Sequence, residues 1–375
     1  MADMPRKLRV GILFGGKSAE HEISLLSAKN VINAIDKDKY DLFLLGIDRE
    51  GRWRPVASPR SFIQAEDNHP IKIHWGNESL ALVPGRPGGN LVRMPALETM
   101  DPLDVIFPVL HGPYGEDGTV QGLLKLAGTP FVGSSVLGSA IAMDKDVMKR
   151  LLRDAGIPIA DFQTIHFHER EEWDYGRVRA RFEVPFFIKP ANLGSSVGVH
   201  KVRDPAQFDA AVGDAFQYDN KILIEEYVKG REIECAVLGN ENPAASVPGE
   251  ILPSHEFYSY EAKYTDEKGA LLRIPADLSE ETALKVRELS VLAFKVACCE
   301  GMARVDCFLK DNGTVIINEL NTIPGFTSIS MYPRLWEASG IPYSNLIDRL
   351  IQLALDRFSR EQGLSTAYRP GEEEP

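Results

Sequence analysis

The sequence predicts an α/β domain with an open parallel sheet, followed by two domains of α+β class. Residues 8–14 form a continuous apolar run that ends at Gly15-Gly16, and residues with helical spacing follow. This pattern is typical of a buried parallel strand that feeds a helix. After about residue 140, strand-like and helix-like runs are mixed rather than alternating. A chain of 375 residues also exceeds one ordinary core, so we expect several domains.

Apolar periodicity and turn residues predict the remaining elements in order. In the first domain we expect strands at 40–47 and 104–110 and helices at 18–35 and 120–127. Residues 55–100 are rich in Pro, Gly and Asn, which predicts short strands and loops. Further along we expect strands at 186–190, 221–228 and 231–238, a loop-rich segment at 248–275, and helices at 143–155, 205–216, 280–297 and 343–358.

Composition and charge exclude several classes of partner. The net charge of −12 argues against nucleic-acid binding, which needs a basic surface. No run approaches the ~20 apolar residues of a spanning helix, so no membrane partner is expected. The N-terminus lacks the apolar region of a signal peptide. The four cysteines lack zinc-ligand spacing and lie in apolar runs, which favours buried, reduced thiols and a cytoplasmic protein. Residues 369–375 are predicted to be disordered.

Residues 303–321 predict a β-hairpin around Asn312-Gly313. A two-residue loop pairs Asp311 with Thr314, which puts Asp306 opposite Glu319. It also puts Arg304 opposite Asn321. On the second strand, alternation assigns one face to Val315, Ile317, Glu319 and Asn321. Facing carboxylates repel each other unless a cation lies between them, and oxygen ligands of this kind suit magnesium. The alternative is a solvated face on an edge hairpin.

Two further stretches could bind a nucleotide. Lys189 ends a strand and precedes Gly194-Ser195-Ser196-Val197-Gly198, whose N–H and hydroxyl groups could donate to phosphate. Lys145 is a second candidate cation, unless it is an ordinary solvated helix lysine. Residues 224–232 suggest a strand that leaves a hinge, where the backbone could meet an adenine edge and a glutamate a ribose. A plain strand with charged ends explains that stretch equally well.

The N-terminal glycine turn formally matches a P-loop, from Gly11 to Lys17-Ser18. Because residues 11–14 should form a strand, a tight turn for a small anion is the better interpretation. Glu20 and Glu22 could bind a cationic ligand group or merely complement the helix dipole. His111 follows a buried strand, where either a ligand contact or a structural role is expected. The long segment around 258–264 is a candidate lid.

Several motifs taken together resemble a known family. Lys189 with 194–198, Ile224-Glu225-Glu226, residues 304–306 and residues 318–327 resemble ATP-grasp enzymes. The motifs at 15–24, 111–118, 143–145 and 257–264 narrow the resemblance to the D-alanine–D-alanine ligase family over roughly residues 8–355. The resemblance implies a Rossmann-like substrate-binding domain (1–133), a small central ATP-grasp domain (134–229) and a C-terminal ATP-grasp domain (230–368) with a lid loop at 248–275. It also implies a cytoplasmic homodimer that joins two D-alanines at the expense of ATP, through a D-alanyl phosphate, for peptidoglycan precursors.

The resemblance also implies residue roles. Catalysis and the first D-alanine would involve Glu20, His111, Ser195, Tyr264, Arg304 and Gly325. The second D-alanine would be held by Lys263, Ser330 and Met331. ATP would contact Lys145, Lys189, Ser196, Glu225, Glu226, Val228, Glu232, Phe257 and Asn318. Two Mg²⁺ (or Mn²⁺) ions would be bound by Asp306, Glu319 and Asn321.

Three alternatives remain at this point. A D-alanine–D-lactate or D-alanine–D-serine ligase has the same fold, although Lys263-Tyr264 favours D-alanine, because lactate-forming members replace the lid tyrosine. The others are a P-loop kinase that uses Lys17 and a non-catalytic nucleotide sensor.

We expect Tyr264→Phe to relax the choice of second substrate toward a hydroxy acid, because a lid hydroxyl is lost. Ester product detected by mass would support this role, and its absence at every pH would contradict it.

Overall fold

The structure is a computed structural model that describes residues 6–56, 62, 71, 73, 75–85, 91–253 and 270–365. The predicted disordered tail and the centre of the predicted lid lie outside these ranges. Among the described helices, none is long and apolar enough to cross a membrane. All four cysteines are described and are free thiols, as predicted, although Cys298 is exposed rather than buried.

The N-terminal part is an open, mostly parallel sheet, as predicted. Its strands and helices are β1 (Leu8–Gly15), α1 (His21–Ala34), β2 (Tyr40–Ile47), β3 (Trp53–Pro55), β4 (Ser79–Leu82), β5 (Leu91–Met94), β6 (Glu98–Thr99), β7 (Val105–Val109) and α2 (Thr119–Leu126). The main sheet has the order β3-β2-β1-β7, with β1 parallel to both β2 and β7. Strands β4, β5 and β6 form a small separate sheet. The carboxyl ends of β1 and β7 therefore meet at one edge, where ligands commonly bind.

The middle of the chain forms an antiparallel sheet of order β10-β9-β11-β8. Its elements are α3 (Val136–Met143), α4 (Lys145–Asp154), β8 (Phe162–His166), a 3₁₀ turn (Phe167–Glu172), α5 (Tyr175–Arg179), β9 (Phe186–Pro190), β10 (His200–Val202), α6 (Pro205–Tyr218) and β11 (Lys221–Glu226). Helix α3 was not predicted. It ends at Asp144, which has an extended backbone and caps α4 by accepting the Val147 N–H at 3.1 Å.

The last part is a larger antiparallel sheet of order β15-β14-β12-β16-β17, with β13 on the side of β12. Its elements are β12 (Arg231–Gly239), β13 (Ala244–Ala245), β14 (Gly249–Pro253), β15 (Ala270–Arg273), α7 (Glu280–Val296), β16 (Gly301–Leu309), β17 (Val315–Asn321), α8 (Met331–Ala338) and α9 (Tyr343–Gln362). The loop expected at 248–275 is wrong at both ends, because β14 and β15 pair there. Helix α8 was also missed; Pro333 is tolerated there because it lies in the first turn.

The hairpin of β16 and β17 keeps the predicted cross-strand pairs but reaches them differently. Arg304 faces Asn321 and Asp306 faces Glu319, as expected. The turn, however, is a three-residue loop in which only Gly313 has positive φ, at 78°. A bulge at Asn318 then restores the register, since Cys307 lies opposite Ile317.

Because of this bulge, the prediction that Val315, Ile317, Glu319 and Asn321 share one face of the second strand is wrong. Val315 and Ile317 pack in the apolar core with Val305, whereas Glu319 and Asn321 point to the opposite side. A strictly alternating strand would place all four on one face, and the extra residue reverses the phase. The acidic face of the hairpin is thereby set against an apolar core.

One shared core joins the N-terminal sheet to the C-terminal helices. It includes Phe14 of β1, Tyr332 of α8 and Leu350 of α9. Phe326, in the loop after β17, packs edge-on against Phe107 of β7 at 5.8 Å between ring centroids. This packing fixes the loop after β17 against the carboxyl end of the parallel sheet.

Arg357 of α9 closes the base of this junction. Its guanidinium donates to the Gly133 and Phe131 carbonyls and lies 4.5 Å from the Phe131 ring.

We expect Arg357→Met to lower the apparent free energy of unfolding by about 2–4 kcal/mol, because two buried carbonyls lose their donors. Urea denaturation measures the change. Arg349→Met, at an exposed position of the same helix, is the control and should shift it by less than about 0.5 kcal/mol.

Candidate active site

A cleft of about 320 Å³ opens between the middle and C-terminal sheets. It gathers residues that are distant in the sequence, from β9, β11, β12, β14, β16 and β17 and from the loop at 191–199. The residues predicted for ATP and metal that line it are Lys145, Lys189, Ser196, Glu225, Glu226, Val228, Glu232, Asp306, Asn318 and Glu319. Ser195 lines it too, whereas the P-loop candidate Lys17 does not.

Two lysines bring positive charge to the cleft. Lys145, the first residue of α4, donates from Nζ to the Leu193 carbonyl at 2.6 Å and lies 3.7 Å from Glu319. Lys189 is the penultimate residue of β9, and its Nζ lies 2.5 Å from Glu225 of β11. Both side chains are nearly buried, so their charges are weakly screened and suit the binding of phosphate oxygens.

The sequence interpretation missed a third lysine behind these two. Lys149 lies one helical turn after Lys145, is fully buried, and contacts the other oxygen of Glu225 at 2.5 Å. Burial lowers the pKa of Lys149, although Glu225 opposes the change. Burial would raise the pKa of Glu225, but Lys149 and Lys189 outweigh it, so the pKa is lowered and the carboxylate stays charged. The spacing of four residues on an amphipathic helix was the available signal.

Glu226, next along β11, points away from this trio. Its carboxylate accepts the Asp161 backbone N–H at 2.9 Å, and the Glu226 N–H donates to the Asp161 carbonyl. The carboxylate of Glu226 is therefore already engaged. Glu226 still lines the cleft, and the prediction that it contacts ATP depends on that position and not on a free carboxylate.

The glycine-serine loop brings the nucleotide cleft next to the N-terminal domain. Ser195 and Ser196 both have positive φ, at 52° and 59°, which is uncommon for non-glycine residues. The Ser195 hydroxyl donates to the Glu20 carboxylate. Glu20 caps the start of α1, is buried, and its Oε2 lies where a Cβ on Gly112 would be only 2.9 Å away. Gly112 has a φ of 73°, a backbone conformation that favours glycine, and it lies beside the Glu20–Ser195 contact.

His111 lies at the carboxyl end of β7 and is buried. Its Nδ1 is 3.0 Å from the Ile323 carbonyl, and its Nε2 is 3.2 Å from the Ser27 hydroxyl. Burial lowers the pKa of His111, so the ring is neutral. Since a carbonyl can only accept, Nδ1 carries the proton and Nε2 accepts from Ser27. With both nitrogens engaged, His111 ties the loop after β17 to α1.

Glu116 is a second residue that the sequence interpretation did not single out, although the 111–118 motif contains it. Its carboxyl oxygens accept the Gly112 N–H at 2.8 Å and the Ile323 N–H at 3.0 Å. Burial, with the nearby charge of Glu20, raises the pKa of Glu116 to about 8. Glu116 thus links the same two loops as His111.

This pKa predicts a pH-dependent stability. Because the folded-state pKa of Glu116 is raised, its contribution is fully present below the unfolded pKa of about 4.5 and is lost as pH rises through about 8. We expect Glu116→Gln to be less stable than the wild type at pH 6, since one acceptor oxygen is lost. The difference should narrow by about 2–3 kcal/mol between pH 6 and pH 9, since the wild type loses about 1.4 kcal/mol for each pH unit up to about 8. Denaturation at both pH values measures it; a constant difference would contradict the assignment.

Arg304 lies at the centre of a cluster of carboxylates. Its Nε and Nη2 donate to the two oxygens of Asp306 at 2.7 and 2.6 Å, and its Nε lies 3.1 Å from Glu234. Burial opposes the charge, but Asp306 and Glu234 raise the pKa of Arg304 well above its ordinary value. Glu234 was missed in the sequence, although it alternates with Glu232 on the cleft side of β12. The guanidinium is permanently charged and held rigidly.

The predicted metal ligands lie close together but are engaged with protein groups. Asp306 accepts both from Arg304 and from the Asn321 amide at 3.1 Å, while Glu319 lies near Lys145. Within the described ranges, no three acidic, histidine or cysteine side chains converge as a metal site. The chemistry of the donor set nonetheless fits a hard cation, because carboxylate and amide oxygens from adjacent strands share one face.

The loop after β17 presents the remaining candidates. A Cβ on Gly325 would lie 2.7 Å from the Ser330 hydroxyl, so a larger residue there would displace that hydroxyl. Ser330 is at the N-cap position of α8, and its hydroxyl oxygen accepts the Thr327 N–H at 3.0 Å rather than a helical N–H. Met331 is the first residue of α8, where backbone N–H groups lack helical partners and favour an anion. Phe257, Lys263 and Tyr264 lie outside the described residues.

Comparison with protein-family models identifies both halves of the chain. Residues 9–134 match the model for the D-ala D-ala ligase N-terminus, and residues 151–352 match that for the C-terminus. The chain belongs to the D-alanine–D-alanine ligase family. Its helices, sheets and cleft are therefore those of an ATP-grasp ligase.

Relatives of the family cover almost the whole chain. A D-alanine–D-alanine ligase from Oceanobacillus iheyensis is 54% identical over 97% of this chain and 100% of its own length. D-alanine–D-alanine ligase A of Salmonella typhimurium is 52% identical over 96% of this chain and 99% of its own. The solved D-alanine-D-alanine ligase from Coxiella burnetii has a TM-score of 0.83 at 40% identity, with 96% and 97% of the two chains covered. The D-Ala:D-Ser ligase VanG from Enterococcus faecalis has a TM-score of 0.82 at 35% identity, with 93% and 100% covered.

Proposed function

We propose that this chain joins two molecules of D-alanine to D-alanyl-D-alanine, with ATP as the energy source and a D-alanyl phosphate as the intermediate. The carrying observation is the single cleft that unites Lys145, Lys189, Glu225, Asp306 and Glu319 and opens beside Glu20. Membership of the ligase family supports the same reaction. D-alanyl-D-alanine would serve the synthesis of peptidoglycan precursors.

The first step activates a carboxylate, which is a poor electrophile. A carboxylate oxygen of D-alanine attacks the γ-phosphorus of ATP, the bond to the β-phosphate oxygen breaks, and ADP leaves. This transfer needs positioning and charge neutralisation rather than a protein nucleophile. Lys145 and Lys189 supply charge beside the phosphates. Glu20, held by Ser195, binds the ammonium group of the same D-alanine.

The second step forms the peptide bond. The amine of the second D-alanine attacks the carbonyl carbon of the acyl phosphate, and inorganic phosphate leaves with the oxygen that came from the carboxylate. Arg304 and the Gly325 N–H stabilise the oxyanion that develops on the carbonyl. Ser330 and the Met331 N–H, at the start of α8, bind the carboxylate of the second D-alanine.

The nucleotide and metal roles complete the proposal. Glu225 and the Val228 backbone meet adenine, Glu232 meets the ribose, and Glu226, Ser196 and Asn318 complete the cleft wall. Asp306, Glu319 and Asn321, which share one face of β16 and β17, would hold two Mg²⁺ ions, or Mn²⁺. Bound magnesium would neutralise the charge of the phosphate oxygens. Outside the described residues, Lys263, Tyr264 and Phe257 contribute from a lid that excludes water from the acyl phosphate.

We propose the same domain division as the sequence suggested, with boundaries near 133 and 229. The division is supported by the separate sheets on either side of each boundary. We further propose a homodimer in the cytoplasm. The free state of all four thiols supports a reducing compartment.

Substrate-dependent phosphate release tests the proposed function. The enzyme is given ATP and magnesium with D-alanine alone, or with D-alanine together with D-serine, D-lactate or L-alanine, and the product is identified by mass. We expect the dipeptide of D-alanine to form fastest, with one phosphate released per product. Preferential formation of a D-alanyl-D-serine product would favour the reaction named for the VanG structure. ATP turnover without any amino-acid dependence would contradict the proposal.

A further inference from the structure

The fully buried ammonium of Lys149 has no place in the proposed chemistry. Its side chain has no solvent exposure and does not line the cleft. A buried charge is costly unless it is compensated, so its presence needs an explanation. Its contacts are the Glu225 carboxylate at 2.5 Å and the face of the Phe162 ring, whose centroid is 5.9 Å away. Lys149 therefore acts on whatever Glu225 does.

Glu225 is held between two cations, each on its own oxygen. Lys149 of α4 contacts Oε1, and Lys189 of β9 contacts Oε2. Glu319 of β17 is near enough to influence Lys149 and is itself near Lys145. Lys189 lines the cleft and is shared with nucleotide phosphates in the proposed function, whereas Lys149 is committed to Glu225. When Lys189 contacts phosphate, Lys149 is thus the cation that still keeps Glu225 ionised.

An ionised carboxylate can only accept hydrogen bonds. A purine with an amino group at C6 offers a donor at that edge, while a purine with an oxo group at C6 offers an acceptor. An ionised Glu225 facing the base attracts the first and repels the second. A protonated carboxyl or an amide could donate to the oxo group and would lose this discrimination.

We propose that Lys149 is a specificity-determining positioning residue, which keeps Glu225 a pure acceptor so that the base site takes a 6-aminopurine and rejects a 6-oxopurine. The proposal rests on the proposed function, because it takes Glu225 to lie beside the base of ATP. It adds a role for a residue that touches neither nucleotide nor amino acid. The pKa directions of Lys149 and Glu225 agree with an ionised pair.

The test compares ATP with inosine triphosphate, which carries an oxo group at C6, in wild type, Lys149→Met and Glu225→Gln. The readout is the ratio of kcat/KM for the two nucleotides between pH 6.5 and pH 9, at saturating D-alanine. In Lys149→Met we expect the preference for ATP to fall at least tenfold, as expected when a charge-assisted hydrogen bond loses its support. The loss should be greater at the acidic end, where Glu225 can take up a proton. Glu225→Gln should lose the preference at every pH.

Arg153→Met is the matched control. Arg153 lies one turn further along α4, is exposed, and contacts the same Phe162 ring at 5.6 Å without an ion pair to Glu225. It should keep the wild-type ratio. A Lys149→Met enzyme whose KM values for both nucleotides rise equally, with an unchanged ratio, would show a merely structural role and overturn the proposal.

Two further measurements keep the test decisive. If Lys149→Met does not fold, Glu225→Gln decides alone, and an unchanged preference for ATP in that variant overturns the proposal. Equilibrium binding of ATP and inosine triphosphate gives the same ratio without ligation. A wild type that binds ATP selectively but forms no dipeptide would therefore contradict the proposed function and leave the selectivity of Glu225 measurable.

Discussion

Replacing Arg304 by lysine should lower kcat by about two to three orders of magnitude, the usual loss when an oxyanion donor is removed. The guanidinium donates to both oxygens of Asp306 and also contacts Glu234, so its plane is fixed by two carboxylates that line the cleft. A lysine keeps the charge but cannot reproduce this fork, and Arg-to-Lys changes at bidentate sites are not conservative. The charge that remains keeps Asp306 and Glu234 from being left uncompensated.

The number of dipeptides formed per phosphate released, here called the coupling ratio, shows which step depends on Arg304. If Arg304 acts in peptide-bond formation, the variant still forms the acyl phosphate, which then loses phosphate to water. We expect fewer than one dipeptide per phosphate, against one in the wild type. Arg231→Lys is the matched control. Arg231 makes an equivalent two-point contact with Glu250, at 2.7 and 2.8 Å, but Glu250 does not line the cleft, whereas Asp306 does. Normal turnover with intact coupling in Arg304→Lys would reject the role.

Replacing Glu20 by glutamine should lower kcat/KM for D-alanine about a hundredfold, while KM for ATP stays close to that of the wild type. Glu20 is buried and is the N-cap of α1, and an ammonium group bound to it loses a charged partner in the variant. The amide can still accept from Ser195, so the fold of the loop should persist. Steady-state kinetics with each substrate varied in turn separates the two effects.

Two further experiments with other variants test this second prediction. Glu22→Gln changes a glutamate on the same helix that pairs with the exposed Arg49 at 2.6 Å, and it should leave kcat/KM unaltered within twofold. Ser195→Ala combined with Glu20→Gln forms a double-mutant cycle. A coupling of about 0.5–3 kcal/mol is expected for groups in direct contact. Additive losses would mean that the Ser195–Glu20 bond has no part in binding the first substrate.

Much of the site was predictable from sequence because chemistry-bearing residues fall at the ends of strongly patterned runs. Lys189 lies near the end of one apolar strand, and Glu225 lies near the end of another. These strands pair antiparallel with Lys189 opposite Leu223, so Lys189 and Glu225 are diagonal neighbours on one face. The pairs Arg304–Asn321 and Asp306–Glu319 were predicted correctly although the loop was predicted one residue too short. The bulge at Asn318 compensates, since an extra residue in β17 cancels the longer turn.

Other parts depended on tertiary contacts that a local pattern does not contain. In the sequence, Lys149 does not differ from other charged residues of an amphipathic helix. Only the fold brings Glu225 of β11 into contact with it. Glu116 sits in a glycine-rich turn, and its role follows only when the loop after β17 supplies the Ile323 N–H. The strands at both ends of 248–275 have weak periodicity. Pairing of β14 with β12 and of β15 with β14, rather than composition, stabilises them.

The most direct test of the account follows one oxygen atom. D-alanine labelled with ¹⁸O in both carboxylate positions is incubated with the enzyme, magnesium and unlabelled ATP, and the released phosphate is analysed by mass. Attack of the carboxylate on the γ-phosphorus predicts one ¹⁸O atom in inorganic phosphate for each dipeptide formed. Phosphate without ¹⁸O, alongside normal dipeptide formation, would show that no D-alanyl phosphate is made and would contradict the assignment of the cleft.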